Sequence, residues 1–237
     1  MSAFESFLVQ IKQVCFITFP TLDQLYTFEK NIGKGSQATI DLFKVNNTND
    51  GSKVAVKTYF MDDDKLKRDD LLKMIINEIH FLRDLYLCEN FISLESVHRA
   101  QGKFYLVLKY AESGCLRNLL IRKSPDRLSE VQIRSIMQQL ILATDFMHRK
   151  QIIHRDFKPQ NILILDSEVL MVCIADLGLA IREDDEKRKM ESCGTPGYVD
   201  PEVLNGRPFT TKSDIFSLGS LLFNLITHKI VFPGFTA

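Results

Sequence analysis

The sequence predicts an α+β protein with two unlike lobes, a small, mostly β one with one main helix and then a mostly α one. Two observations carry this prediction. Short apolar stretches bounded by turn residues crowd into positions 26–108, whereas helical periodicity dominates from Leu116 onward. At 237 residues, with 45% hydrophobic and 25% charged side chains, the chain is long enough and apolar enough for two such cores.

Residues 1–25 read as an N-terminal extension. Strands are predicted over 26–32, 39–45, 53–60, 93–97 and 104–108, separated by turn chemistry such as Asn47 to Gly51 and Gln101-Gly102. One helix, 65–86, interrupts them. A hinge is expected over 109–111, dividing an N-lobe over 26–108 from a C-lobe over 112–237. In the C-lobe, helices are predicted over 129–149 and 212–227, with an apolar hairpin at 162–165 and 170–174 between them.

The helix at 65–86 carries an unusual feature. Its apolar stripe runs Leu71, Ile75, Ile79, Leu82 and Leu85, and Glu78 falls within that band. A carboxylate facing a core is costly unless a cation meets it. Lys57 closes the strand Val54-Ala55-Val56-Lys57, where alternation places Ala55 and Lys57 on one face, and it is the natural partner.

Asp156 and Asn161 stand in His154-Arg155-Asp156-Phe157-Lys158-Pro159-Gln160-Asn161, and Asp176-Leu177-Gly178 follows across the hairpin. Oxygen donors in that order suit magnesium on a polyphosphate, with a proton acceptor beside it, and so point to phosphoryl transfer. Gly33-Lys34-Gly35-Ser36-Gln37-Ala38 lies between two predicted strands, where glycines let backbone N–H groups approach phosphate oxygens. Taken alone, such a glycine pair is more often just a turn.

Composition excludes other classes. Thirty basic residues balance thirty acidic ones, so no overall field favours nucleic acid or an anionic membrane. The five cysteines are scattered without C-x-x-C spacing, which argues for free thiols in a reducing compartment, cytoplasmic or nuclear. No apolar run is long enough to span a bilayer, and the apolar N-terminus lacks a cleavage site.

Six pieces now stand in one order: Gly-x-Gly-x-x-Ala, Val-Ala-Val-Lys57, Glu78, His-Arg-Asp-Phe-Lys-Pro-Gln-Asn, Asp-Leu-Gly and Gly-Thr-Pro-Gly-Tyr-Val-Asp-Pro-Glu. Over about residues 26–235 the chain resembles eukaryotic serine/threonine protein kinases, with a lean toward the calcium/calmodulin-dependent group. The resemblance implies ATP and magnesium as cofactors and a protein with a Ser or Thr acceptor as partner. It implies that Lys57, held by Glu78, contacts the α- and β-phosphates beneath a loop of Ile32, Gly33, Lys34 and Gly35. Asp176 and Asn161 would hold the metal, Asp156 would accept the hydroxyl proton, and Lys158 would steady the γ-phosphate. Adenine would meet Ile40, Ala55 and Leu163, with backbone bonds at Lys109 and Ala111 and Leu108 at the rear. Lys158, together with Gly194-Thr195, resembles the serine/threonine-specific members. Cys115 and Gln160 are uncharged where relatives that select basic substrates are often acidic, so no strong basic preference is expected.

In the activation segment, Glu191 occupies a position that relatives often phosphorylate, and it is expected to face Arg155 as a weaker substitute for phosphate. Ser192 and Thr195 are candidate phosphorylation sites, and Thr195 has a hydroxyl role beside Asp156 in relatives. Asp200 and Phe216 depart from commoner residues without removing a reacting group. The family continues through further helices beyond the position of Ala237, so a C-lobe lacking its last helices is expected. Helix 212–227 is apolar nearly all round, which predicts burial on every side. A catalytically weak or inactive ATP-binding scaffold is the alternative function. Retention of Lys57, Asp156, Asn161 and Asp176 argues against it.

Overall fold

The computed structural model describes residues 22–232 other than 36, 49, 62, 63, 101, 124 and 125. The chain divides into two compact units. One runs up to Ile79 and resumes over Ile92–Tyr110; the other takes His80–Phe91 and continues from Ala111.

The first unit is built on a five-stranded antiparallel sheet of order β1-β2-β3-β5-β4. A short helix α1 (Leu22–Leu25) leads into β1 (Tyr26–Lys34), then β2 (Ala38–Val45) and β3 (Lys53–Phe60). Helix α2 (Lys65–Asp84) follows, then β4 (Leu94–Ala100) and β5 (Lys103–Lys109). The Asp64 carboxylate starts α2 by accepting from the Leu66 and Lys67 N–H groups at 2.9 and 3.3 Å. Of the apolar stripe predicted here, Ile75, Ile79, Leu82 and Leu85 are buried and Leu71 is half-buried, with Leu85 just past the end of the helix.

The strand β3 departs from simple alternation: all six interior residues, Val54 to Tyr59, are buried. Ala55, Lys57 and Tyr59 lie on one face. Val54 and Val56 face a second apolar cluster with Leu22, Phe43 and Val107, flanked by Tyr26, Val45 and Tyr105. Leu22, from the stretch read as an extension, thus covers part of the sheet's other side.

His98 on β4 is buried, with Nε2 2.8 Å from the Ser96 hydroxyl. Among the described residues its Nδ1 has no partner, and burial holds the ring below its ordinary pKa. His80 on α2 is lowered too, chiefly by burial. A histidine depressed in the folded state contributes stability above its unfolded pKa and loses it as pH falls through the folded value. Thermal midpoints measured from pH 8 to pH 5 should therefore decline below about 6.5, and His98→Leu should flatten part of that limb.

The second unit is mostly helical. It contains α3 (Leu116–Lys123), α4 (Glu130–Arg149), α5 (Pro201–Leu204) and α6 (Thr211–Thr227). Ser129 and Gln132 form a capping box that fixes the start of α4. The inner face of α4, Ile136, Leu140, Ala143 and Met147, is fully buried, and the helix touches β8, α6 and β6. At ~1.5–3 kcal/mol per buried large apolar side chain, this face is a substantial part of the unit's core. Strand β6 (Ile152–Ile153) pairs with β9 (Ile181–Arg182), and β7 (Ile162–Asp166) pairs with β8 (Met171–Ile174) as the predicted hairpin.

Helix α6 is not buried on every side. Ile215, Phe223 and Ile226 are exposed, while Ser213, Asp214, Ser217, Ser220 and Asn224 are buried. Several of the polar residues turn inward to hydrogen-bond partners there. Ser217 donates to the Tyr198 carbonyl at 2.7 Å and the Asn224 amide to the Lys229 carbonyl at 3.0 Å. Among the described residues no helix is long and apolar enough to cross a membrane.

Candidate active site

The second unit brings four sequence-predicted residues together around one carboxylate. Asp156, 6% exposed, accepts from the Thr195 hydroxyl at 2.6 Å on Oδ1. On Oδ2 it takes the Lys158 ammonium at 2.7 Å and the Asn161 amide at 2.9 Å. Lys158 also donates to Thr195 Oγ1 at 2.9 Å, closing a ring. The Asn161 amide nitrogen bonds a second time to the Asp156 carbonyl at 2.9 Å, so both its hydrogens are committed and Oδ1 is left to accept.

Local folding places these groups. The chain leaves β6, turns through a 3-10 segment, Pro159–Asn161, and enters the hairpin. Ile162 pairs with Ile174, and the Ala175 N–H donates to the Asn161 carbonyl at 2.8 Å, which sets Asp176 beside Asn161 along the backbone. Arg155 and Asp176 adopt left-handed φ of 69° and 60°, a conformation that costs non-glycine residues about 1 kcal/mol or more unless the surroundings impose it. Gly194, just before Thr195, has φ +94°; a Cβ there would sit 2.9 Å from the Arg155 carbonyl. Only glycine permits that approach.

Buried Asp214 on α6 holds the loop. Its carboxylate accepts from the backbone N–H of His154 at 2.9 Å and of Arg155 at 3.0 Å, and Nε2 of His148 lies 2.8 Å away. Sequence reasoning missed it, although the logic that found Glu78, a carboxylate within an apolar helix, applied equally.

The Arg155 guanidinium ties the activation segment down. It donates to the Leu179 carbonyl at 2.7 Å and the Arg188 carbonyl at 2.6 Å, over the Phe209 ring. Glu191 faces it at 3.4 Å and Arg188 at 3.5 Å. These are longer than full charge-assisted bonds, so Glu191 is the loosest part of the clamp. Ser192 is exposed. Asp200 caps α5, accepting from the Val203 N–H at 2.7 Å, which explains a carboxylate before Pro201. Elsewhere in this unit, Leu163 on β7 is half-buried and bridges to Cys115, and Ala111 is buried with its carbonyl on the Gly114 N–H at 3.1 Å.

The first unit holds the other predicted residues. Lys57 Nζ meets Glu78 Oε1 at 2.7 Å with both side chains buried. Removing one partner of such a pair costs about 3–5 kcal/mol. The Tyr59 hydroxyl donates to Glu78 Oε2. In register, Ile40 pairs with Lys57, and Leu42 and Leu108 flank Ala55. Lys109 ends β5 with its N–H on the Ser93 carbonyl at 3.0 Å. Ile32, Gly33 and Lys34 close β1, and Gly33 pairs with Ile40. The Gly35 N–H donates to the Ala38 carbonyl at 2.8 Å. A Cβ at Gly33 or Gly35 would make only ordinary contacts of 3.6 and 3.5 Å, so the chain itself forces neither glycine. Asn31 secures the neck of this turn through the Gly33 and Ile40 carbonyls and Asp41, a role its sequence position did not announce.

A model of the protein kinase domain matches residues 26–236. This chain belongs to the protein kinase family. Among curated relatives, the kinase is 34% identical over 211 residues to CBL-interacting protein kinase 11 of Oryza sativa subsp. japonica, covering 87% of this chain and 40% of the relative. It is 34% identical over 215 residues to CBL-interacting serine/threonine-protein kinase 2 of Arabidopsis thaliana, covering 89% and 45%. Against the carbon catabolite-derepressing protein kinase of Saccharomyces cerevisiae it is 33% identical over 208 residues, covering 87% and 31%. The kinase thus spans less than half the length of these relatives.

The family implies ATP and magnesium, and the residues fit them. Asn161 Oδ1 and the exposed carboxylate of Asp176 are hard oxygen donors at adjacent strand ends. Among the described residues no group of three or more His, Cys, Asp or Glu side chains is placed to hold a metal ion. A site with few protein ligands suits magnesium, which keeps waters and takes phosphate oxygens for the rest.

Proposed function

We propose that this kinase transfers the γ-phosphate of Mg-ATP to a serine or threonine hydroxyl of a protein substrate. The observation that carries this is the Asp156 carboxylate ringed by Lys158, Asn161 and Thr195. A carboxylate so fixed can orient an acceptor hydroxyl and take its proton as the new O–P bond forms and the bond to the ADP oxygen breaks. The Lys158 ammonium offsets charge on the transferred group, and Lys57, buried against Glu78, meets the α- and β-phosphates. Magnesium, held by Asn161 and Asp176, neutralises phosphate charge when bound. Ile32, Gly33, Lys34 and Gly35 cover the phosphates, in a turn held by the Gly35 N–H on the Ala38 carbonyl. Ile40, Ala55 and Leu163 take the adenine faces, the backbones of Lys109 and Ala111 its edge, and Leu108 its rear. A relative named as a serine/threonine-protein kinase supports the choice of hydroxyl.

Glu191 extends the reading to regulation. Opposite Arg155 it supplies one negative charge where a phosphate would supply nearly two, so the segment is held without phosphorylation, though less firmly.

One experiment tests both. Protein free of phosphate at Ser192 and Thr195 is incubated with γ-labelled ATP, magnesium and a peptide library, followed by phosphoamino-acid analysis. Phosphoserine and phosphothreonine are expected. Phosphotyrosine alone, or ATP binding without transfer, overturns the reading. Glu191→Ala should lower this activity about threefold, since a half-exposed pair at such distances is worth ~0.5–1 kcal/mol. Unchanged activity removes Glu191 from the clamp.

A further inference from the structure

Tyr59 lies two residues beyond Lys57 on β3, so both side chains leave the strand on the face toward Glu78. Lys57 Nζ holds Glu78 Oε1 at 2.7 Å, the Tyr59 hydroxyl holds Oε2, and Nζ stands 5.3 Å from the Tyr59 ring centroid. The three side chains form a closed triangle, and all are buried. Burial, reinforced by the Glu78 charge, pushes the Tyr59 hydroxyl well above its ordinary pKa, so it remains a donor at working pH. The function proposed above makes no use of this hydroxyl.

We infer that Tyr59 is a positioning residue for the nucleotide: its hydroxyl fixes the Glu78 carboxylate so that Lys57 is presented to the phosphates. This rests on the kinase reading. A glutamate on a helix has three rotatable bonds, and a single lysine, itself flexible, leaves the carboxylate free to swing. Two donors from one strand, one on each oxygen, fix its plane. Without the hydroxyl, buried Oε2 loses its donor, and Glu78 recovers one only by turning both oxygens toward Lys57. That shift draws the ammonium back from the phosphates.

The test is Tyr59→Phe in the full chain, which keeps the ring packed between Ala38 and Phe104, its neighbours in register. Turnover is measured together with equilibrium binding of Mg-ATP. The Kd and the KM for ATP should rise about five- to tenfold while kcat and the KM for peptide change less than about twofold. A merely structural loss would reduce the folded fraction, lowering kcat with both KM values unchanged, and that result overturns the proposal. In a Glu78→Ala background Tyr59→Phe should add less than about twofold, because its route through Glu78 is already cut. An undiminished effect there also overturns it. Should the wild type bind Mg-ATP without transferring phosphate, the kinase reading falls, yet the ratio of Kd values still judges Tyr59. If the Phe variant does not fold, Tyr59→Leu, which also lacks the donor, is judged by the same split. Failure of both to fold makes the hydroxyl a folding requirement and removes the proposal.

Discussion

Asp156→Asn is expected to leave a folded, nucleotide-binding protein whose kcat is lower by about 10²–10⁴, the range for loss of a general base. The substitution is isosteric, and the surroundings can accommodate it. The amide oxygen can keep the Oδ2 bonds to Lys158 and Asn161, and the new NH2 can donate to Thr195 Oγ1 in place of the bond that Oδ1 accepted. What disappears is the charge. An amide takes no proton from an incoming hydroxyl and leaves Lys158 without its anionic partner. The KM for ATP should change little, because Lys57, with Glu78 behind it, is untouched and Asn161 and Lys158 keep the oxygen that they bond. Single-turnover transfer and Mg-ATP binding, measured on the same preparation, check the result. Retained turnover would mean that Asp156 is not the proton acceptor, and loss of binding would mean that it carries structure.

Much of this site was legible because its chemistry is local. Asp156, Lys158 and Asn161 lie within one short stretch, and a hairpin of two short apolar runs carries the chain on to Asp176. Glu78 and Lys57 are separated in sequence, yet a carboxylate inside an apolar stripe demands a cation, and strand alternation supplied one. Other parts left no such trace. Tyr59 shares the face of Lys57, but an aromatic residue in a strand reads as core, and only the structure reveals where its hydroxyl goes. The full burial of β3 depended on Leu22, outside the predicted strands, and on side chains of β2 and β5. In α6 the apolar count predicted burial all round, but the inward face mixes Leu218, Leu221 and Leu225 with polar groups such as Ser217 and Asn224, whose partners are backbone carbonyls outside the helix. Side-chain patterns report apolar demand well, but they do not show which distant N–H or C=O group a buried polar residue will meet.

Asp214 is the sharpest instance, and its replacement should have a large effect on stability. Its carboxylate is fully buried and is an acceptor for three donors: the N–H of Arg155 on Oδ1, and the N–H of His154 together with His148 Nε2 on Oδ2. Since an ionised carboxylate only accepts, His148 must donate from Nε2. In Asp214→Asn one oxygen becomes a donor, and whichever way the amide turns, an N–H then faces an N–H. Orienting the oxygen toward His154 and His148 leaves the Arg155 N–H buried without an acceptor; the opposite orientation strands the other two. One buried unsatisfied donor costs ~1–3 kcal/mol, and loss of the charge weakens the remaining bonds, for a total of about 3–4 kcal/mol. For a chain of this size that is about 6–15 °C in Tm. The effect should exceed stability. The left-handed φ of 69° at Arg155 is sustained by the bond that fails, and Asp156 is the next residue. At a temperature where the variant remains folded, kcat should still fall, by about tenfold or more, because a carboxylate displaced by a fraction of an ångström no longer aligns the hydroxyl. Thermal melts and turnover on the same sample decide the point: a Tm within about 2 °C of wild type, or full kcat below the melt, would show that the loop holds Asp156 without Asp214.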